Sequence, residues 1–105
     1  MDLNSLMQQA KDMQEKMAKI QEDLAAKRIT GTAGGGMVSV TATGKGEILS
    51  VVVEDELFSS GDKEMLQDLI AAATNDAIRK ARDLGKQEMS GLAGGLQIPG
   101  LTSLF

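Results

Sequence analysis

Met37-Val38-Ser39-Val40-Thr41-Ala42-Thr43 decides the fold. Val38, Val40 and Ala42 fall on one face of an extended chain and Ser39, Thr41 and Thr43 on the other, the two-residue period of a half-buried strand. Gly34-Gly35-Gly36 before it and Gly44-Lys45-Gly46 after it read as turns. Upstream, Ile29-Thr30-Gly31-Thr32-Ala33 leans towards strand and is weakened by its glycine. Downstream, Glu47-Ile48-Leu49-Ser50-Val51-Val52-Val53-Glu54 reads as a third strand, apolar on much of both faces. Closely spaced strands joined by short glycine turns predict an antiparallel meander over residues 29–54. A strand apolar on both faces expects cover on both sides. Val52 is therefore expected in the core together with Val40, Leu69 and Ile70.

Helices flank the meander. From 2 to 28 the apolar residues are Leu3, Leu6, Ala10, Met13, Met17, Ile20 and Leu24. Their gaps alternate between three and four, a heptad seam and not a broad amphipathic face. Asp2 or Asn4 can cap its start. A seam this narrow and long needs another helix beside it, and a second copy of the chain is the simplest source. Leu6, Met13, Met17, Ile20 and Leu24 are the expected dimerisation residues. Over 62–90, Met65, Leu66, Leu69, Ile70, Ala73, Ala77, Ile78, Ala81 and Leu84 make a wider stripe, suited to packing on the sheet. Ala71-Ala72-Ala73 would permit close approach there, and Gly91 is a natural stop. Residues 91–105 are glycine-rich and uncharged, yet carry Leu92, Leu96, Leu101, Leu104 and Phe105. They read as a flexible tail that docks on another protein or another dimer. The expected architecture is α+β and two-layered, helix–three-stranded antiparallel sheet–helix, with a single domain at 1–90. A body this small is marginal alone, which again points to a homodimer.

Composition removes most chemistry. The 105 residues include no Cys, His, Trp or Tyr and only 2 Phe. Without Cys there is no disulfide framework or thiol nucleophile, and without His the usual general base is missing. Few aromatics leave little to stack on single-stranded bases. No apolar run approaches the ~20 residues of a membrane span, and the polar N-terminus shows no signal peptide. A cytoplasmic protein without membrane contact is expected. Gly34-Gly35-Gly36 runs into a strand and lacks the Gly-Lys-Ser/Thr of a phosphate loop, so it reads as a hairpin turn. Glu54-Asp55-Glu56 lacks the alternating ligand spacing of a calcium loop and reads as an acidic strand end. Ser59 and Ser60 have no activating His. No catalytic residues, metal ligands or cofactor are expected.

Four strings carry a family likeness: Leu6-Met7-Gln8-Gln9-Ala10-Lys11-Asp12-Met13-Gln14-Glu15-Lys16-Met17, Gly34-Gly35-Gly36-Met37-Val38-Ser39-Val40, Lys63-Glu64-Met65-Leu66-Gln67-Asp68-Leu69-Ile70-Ala71-Ala72-Ala73-Thr74-Asn75-Asp76-Ala77, and Gly95-Leu96-Gln97-Ile98-Pro99-Gly100. Together they resemble the YbaB/EbfC family of bacterial nucleoid-associated proteins over nearly the whole chain. The resemblance implies a homodimer whose helices project like tweezers from joined sheets. It also implies binding of double-stranded DNA, within the nucleoid, with little or loose sequence preference. Roles in nucleoid organisation, gene regulation or DNA repair would follow.

Charge tests that implication. The formal net charge is -4, but distribution matters more than the sum. From Arg79 to Ser90, Arg79, Lys80, Arg82 and Lys86 outnumber Asp83 and Glu88, and Lys27-Arg28 closes the first helix. Arg79, Arg82 and Lys86 share a helix face at spacings of three and four. They are the leading phosphate contacts, with Lys27 and Arg28 second and Lys80 about 100° away from the shared face. The plainer reading is that these cations answer the dipoles of helix C-termini. The competing function is a non-catalytic adaptor for a replication, repair or chaperone-linked protein, with DNA contact secondary.

Overall fold

The computed structural model describes residues 2–96, in the order α1 (Leu3–Ala26), β1 (Arg28–Ala33), β2 (Val38–Thr43), β3 (Ile48–Val53), α2 (Asp55–Ser59) and α3 (Lys63–Leu96). The strands form one antiparallel sheet in the order β1-β2-β3, as the alternation and the glycine turns predict. Gly34, Gly35 and Gly36 all have positive φ, a conformation that side-chain-bearing residues adopt only under strain. That run of three folds β1 back on β2.

Val38, Val40 and Ala42 are fully buried and meet Ala73 and Ala77 of α3. Leu66, Leu69 and Ile70 are half-buried around this core. The small residues that admit the helix are Ala73, Ala77 and Ala81, one turn apart on a single face, and not the consecutive Ala71-Ala72-Ala73. Ala71 and Ala72 are exposed, because a helix turns each residue about 100° from the last. Opposite Ala73 and Ala77 lies Gly31. A Cβ built there would stand 2.3 Å from the Ala77 nitrogen and 2.4 Å from the Ala73 oxygen. The glycine that weakens β1 as a strand is thus what lets strand and helix backbones touch.

Helix α3 covers β1 and β2 and leaves β3 open. A helix about 10 Å across spans two strands spaced about 4.8 Å apart, but not three. Ile48 and Val51, on the α3 side, consequently remain 41% and 45% exposed, and Leu49 and Val52 are 49% and 62% exposed. The expectation that Val52 is buried does not hold within one chain, since Val52 lies opposite Ser39 on the face away from α3. Pairing jumps from Thr41↔Ser50 to Ala42↔Ile48, a bulge that leaves Leu49 without an opposite partner.

Both flanking helices differ from their sequence-based bounds. Helix α1 is capped by Asp2, whose Oδ1 accepts from the Ser5 N–H at 2.7 Å. It ends at Ala26, two residues early, where the Leu24 carbonyl accepts both the Lys27 N–H at 3.2 Å and the Gly44 N–H at 2.9 Å. The β2–β3 turn thus terminates α1. Glu54-Asp55-Glu56 is not merely a strand end. Asp55 and Glu56 form the first turn of α2, where carboxylates suit the positive helix end, and α2 drops Leu57 into the core. Asp62 caps α3, its Oδ1 accepting from the Met65 N–H at 3.0 Å. Helix α3 then runs through Gly91 to Leu96, because an interior glycine costs only about 1 kcal/mol and does not by itself stop a helix. Six residues assigned to the tail are therefore helical. Residues 97–105, with the expectation that they dock on a partner, lie outside the described residues.

The described shape is long, 68 × 24 × 16 Å. Along α1, Leu24 is buried where the helix meets α3 and the β2–β3 turn, and Met13 and Ile20 are half-buried. Leu3, Leu6, Met7 and Met17 are exposed. Part of the heptad seam is thus served by the chain itself, and among the described residues the rest has no cover.

Candidate nucleic-acid interface

The two outer edges of the sheet differ. Along β1, the Thr32 N–H donates to Asp76 Oδ2 at 3.0 Å, and the Lys80 ammonium donates to the Thr30 carbonyl at 3.1 Å. Asp76 and Lys80 are one turn apart on α3 and pair with each other at 3.2 Å. They occupy backbone groups that β1 would otherwise present to another strand, which closes that edge. Among the described residues, β3 has no comparable cover.

The Thr32 N–H first, then Lys80 and Arg79, hold the Asp76 carboxyl below the ordinary carboxylate value of 3.8. A depressed folded-state pKa contributes stability that is present above the unfolded value and lost as pH falls through the folded one. Asp76→Asn should therefore lower the urea midpoint at neutral pH. It should also flatten the loss of stability between about pH 5 and pH 2. Parallel acid profiles for the two proteins would show that Asp76 carries none of the linkage.

The same contacts sort the cations. Arg79 pairs with Asp76 and Lys80 is drawn to β1. Lys27 lies 3.6 Å from Glu88, joining the end of α1 to α3. The Arg28 guanidinium donates to the Ala25 and Lys27 carbonyls at 3.2 and 3.3 Å, at the α1 C-terminus. Arg82 and Lys86 are exposed and, among the described residues, have no carboxylate at ion-pair distance. Arg79, Arg82 and Lys86 are all exposed, on the side of α3 away from the buried Ala73, Ala77 and Ala81.

Where α1, the β2–β3 turn and α3 meet there is an open groove of about 380 Å³. Leu24, Ile78 and Ala81 line it, Lys45 and Arg82 bring charge to it, and Gly85 leaves one wall bare. The turn's own N–H groups are spent: those of Lys45 and Glu47 donate to Thr43 Oγ1, and that of Gly46 to the Thr43 carbonyl. Side chains, not a backbone nest, would have to meet an anion there. Lys45 is the cation that sequence reasoning passed over. Its one signal was its place between two glycines at a hairpin tip; where that tip would land was not legible.

Among the described residues no His/Cys/Asp/Glu group could hold a metal ion, and no helix is long and apolar enough to cross a membrane.

The chain matches the YbaB/EbfC DNA-binding family over residues 1–96. It is 63% identical over 105 residues to nucleoid-associated protein DP1429 of Desulfotalea psychrophila, covering 100% of this chain and 99% of that one. A nucleoid-associated protein of Syntrophobacter fumaroxidans is 54% identical over 95 residues, 90% of this chain and 86% of the relative. Among solved structures, that of the uncharacterized protein HP0035 from Helicobacter pylori superposes with a TM-score of 0.80 at 28% identity. The match covers 89% of this chain and 98% of that one.

Proposed function

Because the chain belongs to the YbaB/EbfC DNA-binding family, we propose that it is a homodimeric, non-catalytic protein of the nucleoid that grips duplex DNA through its phosphates. The observation that carries this reading is the exposed outer face of α3, where Arg82 and Lys86 stand without carboxylate partners beside the ion-paired Arg79. Phosphate contact needs free cations and no base-reading geometry, so binding is expected to be nearly independent of sequence. The net charge of -4 does not oppose this. Much of the excess acid lies at Glu54, Asp55 and Glu56, the N-cap and first turn of α2, away from the basic stretch of α3 in the chain.

The open side of the sheet supports the homodimer. Edge β1 is closed by Asp76 and Lys80, while β3 offers an uncovered edge and four exposed apolar side chains. A second copy pairing there would join the sheets and double the basic faces. The uncovered part of the α1 seam, Leu6 and Met17, is a second contact between copies.

Arg79, Arg82 and Lys86 changed together to Ala test the DNA contact. Mobility shifts on unrelated duplexes should show weaker binding to every sequence. The salt slope should fall by about one for each phosphate that is no longer neutralised. Because Arg79 is already paired with Asp76, most of the weakening should come from Arg82 and Lys86. Unchanged affinity and slope in a folded triple variant would remove α3 from the interface.

A further inference from the structure

We propose that the groove between α1, the β2–β3 turn and α3 seats one backbone phosphate of the bound duplex, held between Lys45 and Arg82. This rests on the duplex-binding reading and gives it a defined point of contact. Two cations from separate elements line one groove. Among the described residues neither has a carboxylate at ion-pair distance, whereas Lys27, Arg79 and Lys80 each have one. Leu24, Ile78 and Ala81 give the groove an apolar lining, so the two charges face a less aqueous surface than on a bare helix and attract an anion more strongly. The groove is open to solvent, which suits a polymer passing across it better than an enclosed small molecule. Gly44, Gly46 and Gly85 carry no side chains that would hold a sugar-phosphate backbone away. With the turn N–H groups already bonded internally, the ammonium and the guanidinium are the donors, and the guanidinium can meet two phosphate oxygens at once.

Gly85 allows a direct test on the full-length protein. A Cβ at Gly85 meets nothing within 4 Å, and replacing an interior helix glycine favours the helix. Gly85→Glu should therefore fold normally while placing a carboxylate in the groove. Gln87→Glu makes the same charge change at an exposed position of α3 outside the groove. Retention of two unrelated short duplexes is measured at two salt concentrations, with sedimentation alongside. Gly85→Glu should weaken binding about tenfold or more, well beyond Gln87→Glu. Lys45→Ala/Arg82→Ala should flatten the salt slope by about one per engaged groove, since one phosphate is no longer neutralised, and Lys45→Arg should retain it. If wild type holds duplex while Gly85→Glu matches Gln87→Glu and the double variant keeps the wild-type slope, the groove assignment is wrong and the duplex reading stands. If wild type holds no duplex at either salt, the duplex reading itself fails. Loss of the dimer in Gly85→Glu, with duplex binding intact, would make the groove a contact between copies and overturn the proposal.

Discussion

Gly31→Ala is expected to cost about 3 kcal/mol, the upper part of the range for overpacked cores, and to leave much of the protein unfolded at moderate temperature. The added methyl would lie 2.3 Å from the Ala77 nitrogen, 2.4 Å from the Ala73 oxygen and 2.8 Å from the Ala77 Cα. All three are backbone atoms, so no rotamer change relieves the clash. Helix and strand would have to part until those distances reach about 3.5 Å, the usual separation of packed atoms. Parting them opens the packing of Ala73 and Ala77 on Val38 and Val40, the centre of the core. It also lengthens the Thr32–Asp76 and Thr30–Lys80 hydrogen bonds that close the β1 edge. A small domain has few kcal/mol to lose. Urea unfolding followed by circular dichroism measures the effect. A loss below about 1 kcal/mol would mean that α3 does not approach β1 this closely.

Charging both faces of β3 should dissociate the proposed dimer. Val51 lies opposite Val40, on the α3 side of the sheet but beyond the two strands that α3 covers, and Val52 lies on the other face. At 45% and 62% exposure they contribute modestly to the fold of one chain. In a sheet continued through β3, Val51→Lys/Val52→Lys would bring two ammonium groups from each copy to the joint. Like charges repel there, and burying them without partners is costly. The dimer dissociation constant should rise about 100-fold or more, or close to 3 kcal/mol at 1.4 kcal/mol per tenfold. Sedimentation across micromolar concentrations reads this directly, and the far-ultraviolet dichroism should stay near that of wild type. A dimer of unchanged strength would exclude the β3 edge and leave the exposed part of the α1 seam, around Leu6 and Met17, as the joint. Met17→Asp then becomes the informative variant, since it charges that seam at a position 40% exposed within one chain.

Local order was legible in the sequence because its causes are local. The alternation of Val38, Val40 and Ala42 placed β2 and its buried face. Three glycines with positive φ made the first turn, and Asp2, one of two candidates, capped α1. The outer face of Arg79, Arg82 and Lys86 followed from helical spacing, as did the separate direction of Lys80, which turns to the Thr30 carbonyl. Tertiary structure decided everything that depends on what lies opposite. Periodicity showed that the α1 seam and β3 need partners. It did not show that Leu24 finds one within the chain while Val52 does not. Gly31 looked like a weakness in a strand until Ala73 and Ala77 were placed against it. A count of charges made Lys27, Arg79 and Arg82 alike, although Glu88 and Asp76 pair with the first two, and Lys45 joins Arg82 in one groove. A spacing along the chain fixes which way a side chain points. What it meets there depends on segments far away in sequence, and those meetings are set only when the sheet and α3 close on one another.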